Sequence, residues 1–318
     1  MLKLFKALAD QTRLRLLAIL QLGEFTVQEL VEILAMGQSR ISRHLKILLA
    51  AGMVQVKREG TWAYYRLQPS DQLFTQMQPL LQNCWSELAG YNRDRTALAS
   101  ILAARRNRSL EFFDRHARQW DQMARELLPV ADYLPQLFEH IPKCAKLLEV
   151  GVGTGQLLQA LTDKGSQVIA VDHSPAMLAA ARERLTACGV VSVELKLGQM
   201  ESLPLAGGTM DVAVMNMALH HASDPGAVIS ELARVLRPAG RLVLCDLLRH
   251  QKEWVREQLA DQWLGFTVED LHGWCLEAGL EQIEITTIGG RPDELPVIVL
   301  SANKQAAVRC HHAIKESI

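Results

Sequence analysis

Leu147-Leu148-Glu149-Val150-Gly151-Val152-Gly153-Thr154-Gly155 is an apolar run that passes a carboxylate and opens into three alternating glycines. A second apolar run, Val168-Ile169-Ala170-Val171, then closes on Asp172. The order predicts a buried strand, a glycine loop, a helix and a second strand. Glycines let backbone approach a ligand without Cβ clashes. A carboxylate about 20 residues past such a loop suits the hydroxyls of an adenosine ribose. A dinucleotide site would need a glycine at position 156 to complete G-x-G-x-x-G, and that residue is Gln156. The spacing therefore points away from a dinucleotide.

Three later segments extend the pattern. Gly198-Gln199-Met200-Glu201-Ser202-Leu203-Pro204 reads as a loop. Asp211-Val212-Ala213-Val214-Met215-Asn216-Met217-Ala218-Leu219-His220-His221 reads as a further strand and its carboxyl end. Arg237-Pro238-Ala239-Gly240 reads as a turn before a strand from Arg241 to Cys245, with Asp246 following. Glu-x-Gly-x-Gly-x-Gly with Asp172 resembles motif I of class I S-adenosylmethionine (SAM) methyltransferases. The resemblance implies a Rossmann-like α/β domain with a mostly parallel sheet. Gly151, Gly153 and Gly155 would lie against the methionine moiety, Glu149 near its ammonium group and Asp172 on the ribose. His173 and Met177 would pack on the adenine, and Gln199 and Met200 would belong to the loop that holds it, where the family usually has an acidic residue at the position of Gln199. Ligands of open α/β sheets bind at the carboxyl ends of strands, which places Asn216 and Met217 near the sulfonium. Methyl transfer needs mainly alignment, and a general base only for a poorly acidic nucleophile. His220, His221, Asp246 and His250 are the candidates. Phe112, His116 and Trp120, at spacings of four, are expected along one face of a covering helix or in a buried stripe. Trp254, Trp263, Phe266, His272 and Trp274 suggest a substrate pocket or core packing.

The amino-terminal end carries a different pattern. Leu4, Leu8, Leu14, Leu17 and Leu20 share a helical face. Thr26-Val27-Gln28-Glu29 has capping-box spacing before a helix to about Leu34. Met36-Gly37 makes a turn, and Gln38 to Leu49 is a second helix with Ile41, Leu45 and Leu48 inward. Val54–Lys57 and Ala63–Leu67 alternate as strands around Arg58-Glu59-Gly60-Thr61. This order is a winged helix (α+β). Phe5 to Leu17 and Gln38 to Leu48, followed by Ala51-Gly52-Met53-Val54, resemble ArsR/SmtB-type repressors. The resemblance implies a homodimer on palindromic double-stranded operator DNA. Gln38, Ser39, Arg40, Ser42, Arg43 and His44 would form the exposed face of the recognition helix, and Arg58 would reach the groove or backbone from the wing. Metal-sensing members carry thiols in the first helix of the reading unit. Glu29-Leu30-Val31-Glu32-Ile33-Leu34-Ala35 has none, and no metal is expected.

The 318 residues suffice for about two domains. Net charge is −1, yet residues 1–67 hold four Lys and six Arg against one Asp and four Glu, a modest footprint for DNA. Six scattered cysteines lack C-x-x-C spacing, which suits a reducing cytoplasm and argues against structural zinc. No apolar run reaches the length of a membrane span. Asp10, Arg13 and Arg15 interrupt the first 25 residues, against a signal peptide. The expected domains are a winged helix at 1–80, a helical dimerisation or linker region at 81–108, a methyltransferase domain at 109–305 and a tail at 306–318. Leu73, Met77, Leu80, Leu81, Trp85 and Leu88 form a stripe for dimerisation or for packing within the domain. Arg105-Arg106-Asn107-Arg108 reads as a solvated basic cluster near a boundary. Two functions follow: a DNA-binding regulator that methylates a small molecule, yielding S-adenosylhomocysteine (SAH), or a non-catalytic regulator that senses SAM and SAH.

Overall fold

The computed structural model describes residues 1–59, 62–67, 72–127, 130, 132–289, 291 and 294–306. The chain forms two compact units. The first comprises Met1–Phe112, His221–Gly226 and Gln251–Leu264; the second comprises Phe113–His220, Ala227–His250 and Gly265–Ile318. Residues 81–108 thus fall inside the first unit, as do 109–112, 221–226 and 251–264 of the stretch expected to be the methyltransferase domain. The wing tip at 60–61, the segment 68–71 and the tail beyond residue 306 lie outside the described residues.

In the first unit the amino-terminal helix is two helices, α1 (Leu2–Leu8) and α2 (Gln11–Leu20). The break falls at Asp10, whose extended backbone and side chain cap α2 by accepting from the Arg13 amide at 3.0 Å. Strand β1 (Phe25–Thr26) leads into α3 (Val27–Leu34). The Thr26–Glu29 capping box forms as its spacing predicts. Helix α4 (Gln38–Ala50) buries Ile41, Leu45 and Leu48 completely. Strands β2 (Val54–Glu59) and β3 (Trp62–Leu67) pair antiparallel, and β1 adds to the free edge of β3. Helix α5 (Gln72–Cys84) and the long α6 (Tyr91–His116) follow.

The expected apolar stripe packs within this unit. Leu73, Met77, Leu81 and Leu88 lie against the winged-helix core and Trp85 is buried in it, while Leu80 points outward. The basic cluster is not solvated at Arg105, which is 4% exposed. Its guanidinium binds Glu29 at 2.7 Å and donates to the carbonyls of Glu24 and Ser223. A charge is retained at that depth only because each face of the fork has a partner.

The second unit takes in α7 (Trp120–Leu127), α8 (Leu134–His140), β4 (Cys144–Val150), α9 (Leu158–Thr162), β5 (Gly165–Asp172), α10 (Pro175–Ala187) and β6 (Val193–Leu197). β7 (Met210–Asn216), α11 (Pro225–Val235) and β8 (Leu236–Leu247) continue the chain. After the short α12 (Trp254–Gln258) of the first unit come α13 (Val268–Glu277), β9 (Leu280–Ile288) and β10 (Val297–Lys304). The seven strands run in the order β6-β5-β4-β7-β8-β10-β9. All pairs from β6 to β8 are parallel, and β10 is antiparallel to both neighbours. Strand β8 begins at Leu236, before the expected turn, which it absorbs as an irregular register against β7. The central strands are apolar on both faces because helices cover both. Strand order reverses at β4, so the carboxyl ends of β4, β5 and β7 border the crevice where such sheets bind ligands. Among the described residues no helix is long and apolar enough to cross a membrane.

Candidate functional site

Strand β4 delivers Glu149 and Val150 to the sheet edge, and the chain then turns through three glycines with positive φ. At Gly151 a Cβ would stand 2.4 Å from the Cβ of Ala218, a clash that no side chain escapes. At Gly153 a Cβ would meet nothing within 4 Å. The loop is thus crowded on one flank and open at its crest. Its shape is held by backbone: the Gly151 amide donates to Val171 at 2.9 Å and the Gly155 amide to Val152 at 2.9 Å.

Asp172, at the end of β5, accepts from the Gly153 amide at 2.8 Å and the Ser174 amide at 2.9 Å. Its carboxylate therefore ties the loop to the following helix, where Ser174 caps α10 through the Met177 amide. With the His173 amide a third backbone donor, the carboxylate still has capacity for a further one, since it offers about four lone-pair sites. Glu149 is 3% exposed, and its Oε2 has no hydrogen-bond partner among the described residues. Burial, reinforced by the charge of Asp172, pushes the Glu149 carboxyl up to about 8. Burial also raises Asp172, against His173 and the backbone donors. An unpartnered carboxyl at the crevice suits a ligand cation.

The other expected cofactor residues gather at the same end of the sheet. His173 and Met177 follow Asp172, with Met177 buried and the His173 Nε2 lacking a partner. Met200 is buried and Gln199 exposed beyond β6. The Asn216 Oδ1 is buried without a partner, while its side chain shares a hydrogen bond with the buried Tyr133. Met217 has φ +50, a strained value for a non-glycine residue, and its amide is fixed on the Cys245 carbonyl at 2.8 Å.

Two of the four candidate bases pair with each other. His220 and Asp246 are buried and face each other, Nδ1 to Oδ1, at 2.7 Å. Asp246 also accepts from the amides of Leu219 and Leu247, so the pair fixes the turn after β7. His221 belongs to the first unit, with Nδ1 3.4 Å from the Ala260 carbonyl. His250 is half-buried beyond β8. The aromatic residues of the last third divide likewise. Trp263 packs on Tyr64 in the first unit with centroids 5.0 Å apart. Phe266 meets Trp274 in the second at 5.6 Å. Both Trp263 and Phe266 are core.

Sequence reasoning missed a strap across the glycine loop. Asp121, in the first turn of α7, accepts from Thr154 Oγ1 at 2.5 Å and Gln156 Nε2 at 2.8 Å, and pairs with Arg184 of α10. Burial would raise its carboxyl, but these donors outweigh burial and hold it below the usual range. Asp114 accepts from the Ser174 hydroxyl. The face with spacings of four does not form, because α6 ends at His116 before α7 starts at Trp120. Phe113 instead meets Trp120 edge-on at 5.0 Å and His173 at 6.1 Å.

In the first unit Gln38, Ser39, Arg40, Ser42 and Arg43 are exposed along α4, and Arg58 is exposed on β2. Lys46, three residues past Arg43, is exposed as well. His44 departs from expectation: it is 5% exposed and stands 3.7 Å from Asp10. Its place in α4, three residues after Ile41 and four before Leu48, turns it toward the core. Burial holds its imidazole below the ordinary value, against the pull of Asp10.

Residues 10–56 match the family of bacterial regulatory proteins described as the arsR family, and residues 148–244 match the methyltransferase domain family. An uncharacterized methyltransferase of Mycobacterium tuberculosis is 38% identical over 128 residues, 39% of this chain and 50% of that protein. The arsenite methyltransferase of Halobacterium salinarum is 30% identical over 160 residues, 48% of this chain and 41% of that protein. The chain spans about half the length of the curated relatives it matches. The solved complex of the Haloferax volcanii Trm112 methyltransferase activator with a methyltransferase superposes with TM-score 0.51 at 17% identity, covering 61% of this chain and 97% of that one. That likeness supports the fold.

Proposed function

The chain joins an arsR-family regulatory segment at residues 10–56 to a methyltransferase domain at residues 148–244, and from this premise we propose that it is a DNA-binding transcriptional regulator that also transfers a methyl group from SAM to a small molecule. The observation that carries the cofactor assignment is Glu149: a buried carboxyl oxygen without a partner beside a glycine loop whose crest is open. The α-ammonium of SAM or SAH supplies the missing donor, and Asp172 retains a lone pair for a ribose hydroxyl. Bound there, SAM supplies an activated methyl on a sulfonium. The residues of the chain bind and orient it: Asn216 and Met217 border the reacting end, and Asp121 holds the loop closed over it.

The DNA-reading part acts as a homodimer on a palindromic operator, in the cytoplasm, with Arg40 and Arg43 on base edges or phosphates. The substrate is a small molecule, and the cysteines, scattered along the sequence, are not clustered in the way that would point to arsenic.

One set of titrations tests the reading. SAH binding is measured by calorimetry for the natural chain and for Asp172→Ala, alongside a methyl-transfer screen with labelled SAM. Operator affinity is measured with SAM, with SAH and with neither. The expected result is binding weakened about tenfold or more in the variant, and methyl transfer to at least one acceptor. No transfer to any acceptor, with operator affinity changed by SAM or SAH, would mark the methyltransferase domain as a sensor only. Unchanged SAH affinity in Asp172→Ala would remove the cofactor assignment.

A further inference from the structure

The first unit carries an open pocket of about 830 Å³, within the roughly 300–1,000 Å³ typical of small-molecule sites. Its walls come from stretches far apart in sequence: the start of α3, strand β3, the middle of α6 and residues 253–262. All of these belong to the first unit, whereas the glycine loop belongs to the second. The pocket shares no lining residue with the glycine loop.

Three features describe what it would hold. Five carboxylates line it against three guanidinium groups, an excess of two negative charges. Arg105 is already committed to Glu29 at 2.7 Å, and Arg256 lies 3.6 Å from Glu253. Glu32 and Glu257, both exposed, and the buried Asp261 add to the acidic lining. Strand β3 contributes the exposed ring of Trp62, whereas the buried Tyr64 ring already packs on Trp263 and has the Arg256 guanidinium 5.9 Å from its centroid. Ser109, on α6, is 3% exposed, and its hydroxyl has no hydrogen-bond partner among the described residues. A buried hydroxyl left unpaired is costly, and a polar group entering the pocket would satisfy it.

We infer that this pocket is a binding site for a small organic cation with an aromatic or apolar body. Acidic walls attract the charge, and the exposed face of Trp62 favours a cation over an anion of the same size. An anion would face the excess of carboxylates, and a neutral ligand would gain nothing from it. The site touches the Thr26–Glu29 cap of α3, so a ligand there contacts the DNA-reading unit directly. The inference stands whether or not the second unit transfers methyl groups.

The test uses the full chain with SAH at saturation, so that the glycine-loop site is occupied. Benzamidine and phenethylamine are titrated by calorimetry beside benzoate and benzyl alcohol. The two cations are expected to bind saturably, one per chain, and the anion and alcohol not to bind. Glu32→Gln with Glu257→Gln removes two exposed charges with little risk to folding, and should weaken both cations about tenfold. Ala104→Trp, at an exposed lining position of α6, should abolish binding by filling the space. Circular dichroism confirms that each variant is folded. Absence of saturable cation binding, equal binding of benzoate, or affinities unchanged in both variants would each overturn the assignment.

Discussion

Glu149 holds a buried carboxyl whose Oε2 has no hydrogen-bond partner among the described residues. With its folded value near 8 and an ordinary value of 4.5, the folded chain keeps a proton that the unfolded chain has released between those limits. The folded state then binds more protons than the unfolded state, so stability falls as pH rises through this window. The contribution is fully present below 4.5 and lost by about 8. The slope approaches about 1.4 kcal/mol per pH unit where only the folded form is protonated. We expect denaturant midpoints of the ligand-free chain to fall from pH 5 to pH 8 (an interval of about 3 units within the titration window). Glu149→Gln should flatten that fall. A ligand ammonium reverses the preference, since a nearby cation favours the ionised carboxyl. SAH binding near pH 7 should therefore release a proton, visible as a dependence of calorimetric enthalpy on buffer ionisation. An enthalpy indifferent to buffer, in a chain that still binds SAH, would contradict this protonation state. The place of Glu149 at the end of a strand before the glycines was legible in the sequence. Its protonation was not, because that depends on the bulk of the sheet around it.

At the scale of elements, two side chains tie helices to segments remote in sequence. Asp121 joins the first turn of α7 to Thr154, Gln156 and Arg184. Asp121→Ala removes one acceptor from two loop donors and from a partly buried guanidinium. SAH affinity should fall by about tenfold, each lost bond being worth about 1 kcal/mol, and amide exchange should quicken across 120–126. Unchanged exchange there would mean that the strap is held by Phe113 and Trp120 packing alone. Arg105 ties α6 to the cap of α3 through Glu29, a partner 76 residues away. Breaking a buried pair on one side leaves the other charge stranded, which typically costs about 3–5 kcal/mol. Arg105→Met should destabilise the first unit by about 3 kcal/mol, measured as lost exchange protection in α3. A Glu29→Gln, Arg105→Met double variant should recover part of the loss, and no recovery would show that the Arg105 bonds to the Glu24 and Ser223 carbonyls dominate.

For the whole molecule, the exposed cations of α4 set the salt dependence of DNA binding. Counterion release makes affinity fall with salt, by about 0.9 in logarithmic slope for each phosphate neutralised. Arg40→Ala with Arg43→Ala should flatten the slope by about 1.8 for each copy on the operator. A slope unaltered in filter-binding titrations would move the contact to other residues, Lys46 and Arg58 first. If SAH alters operator affinity, operator DNA must alter SAH affinity by the same factor, because linkage is reciprocal.

The sequence by itself determined those features whose cause spans only a few residues. The Thr26–Glu29 box is a contact between residues three apart. The glycine loop needs only positive φ and a missing Cβ, and the inward face of α4 needs only the helical repeat. Asp172 could be placed because a strand and a short loop fix its distance from Gly153. Tertiary structure decided whatever depends on partners far along the chain. It buried His44 against Asp10 and drew Arg105 out of a basic cluster into the core. It paired His220 with Asp246 across 26 residues, and it drew 221–226 and 251–264 into the first unit. Local periodicity reports which face of an element is apolar. It cannot report which other element that face meets, and burial, ion pairing and protonation all follow from that meeting.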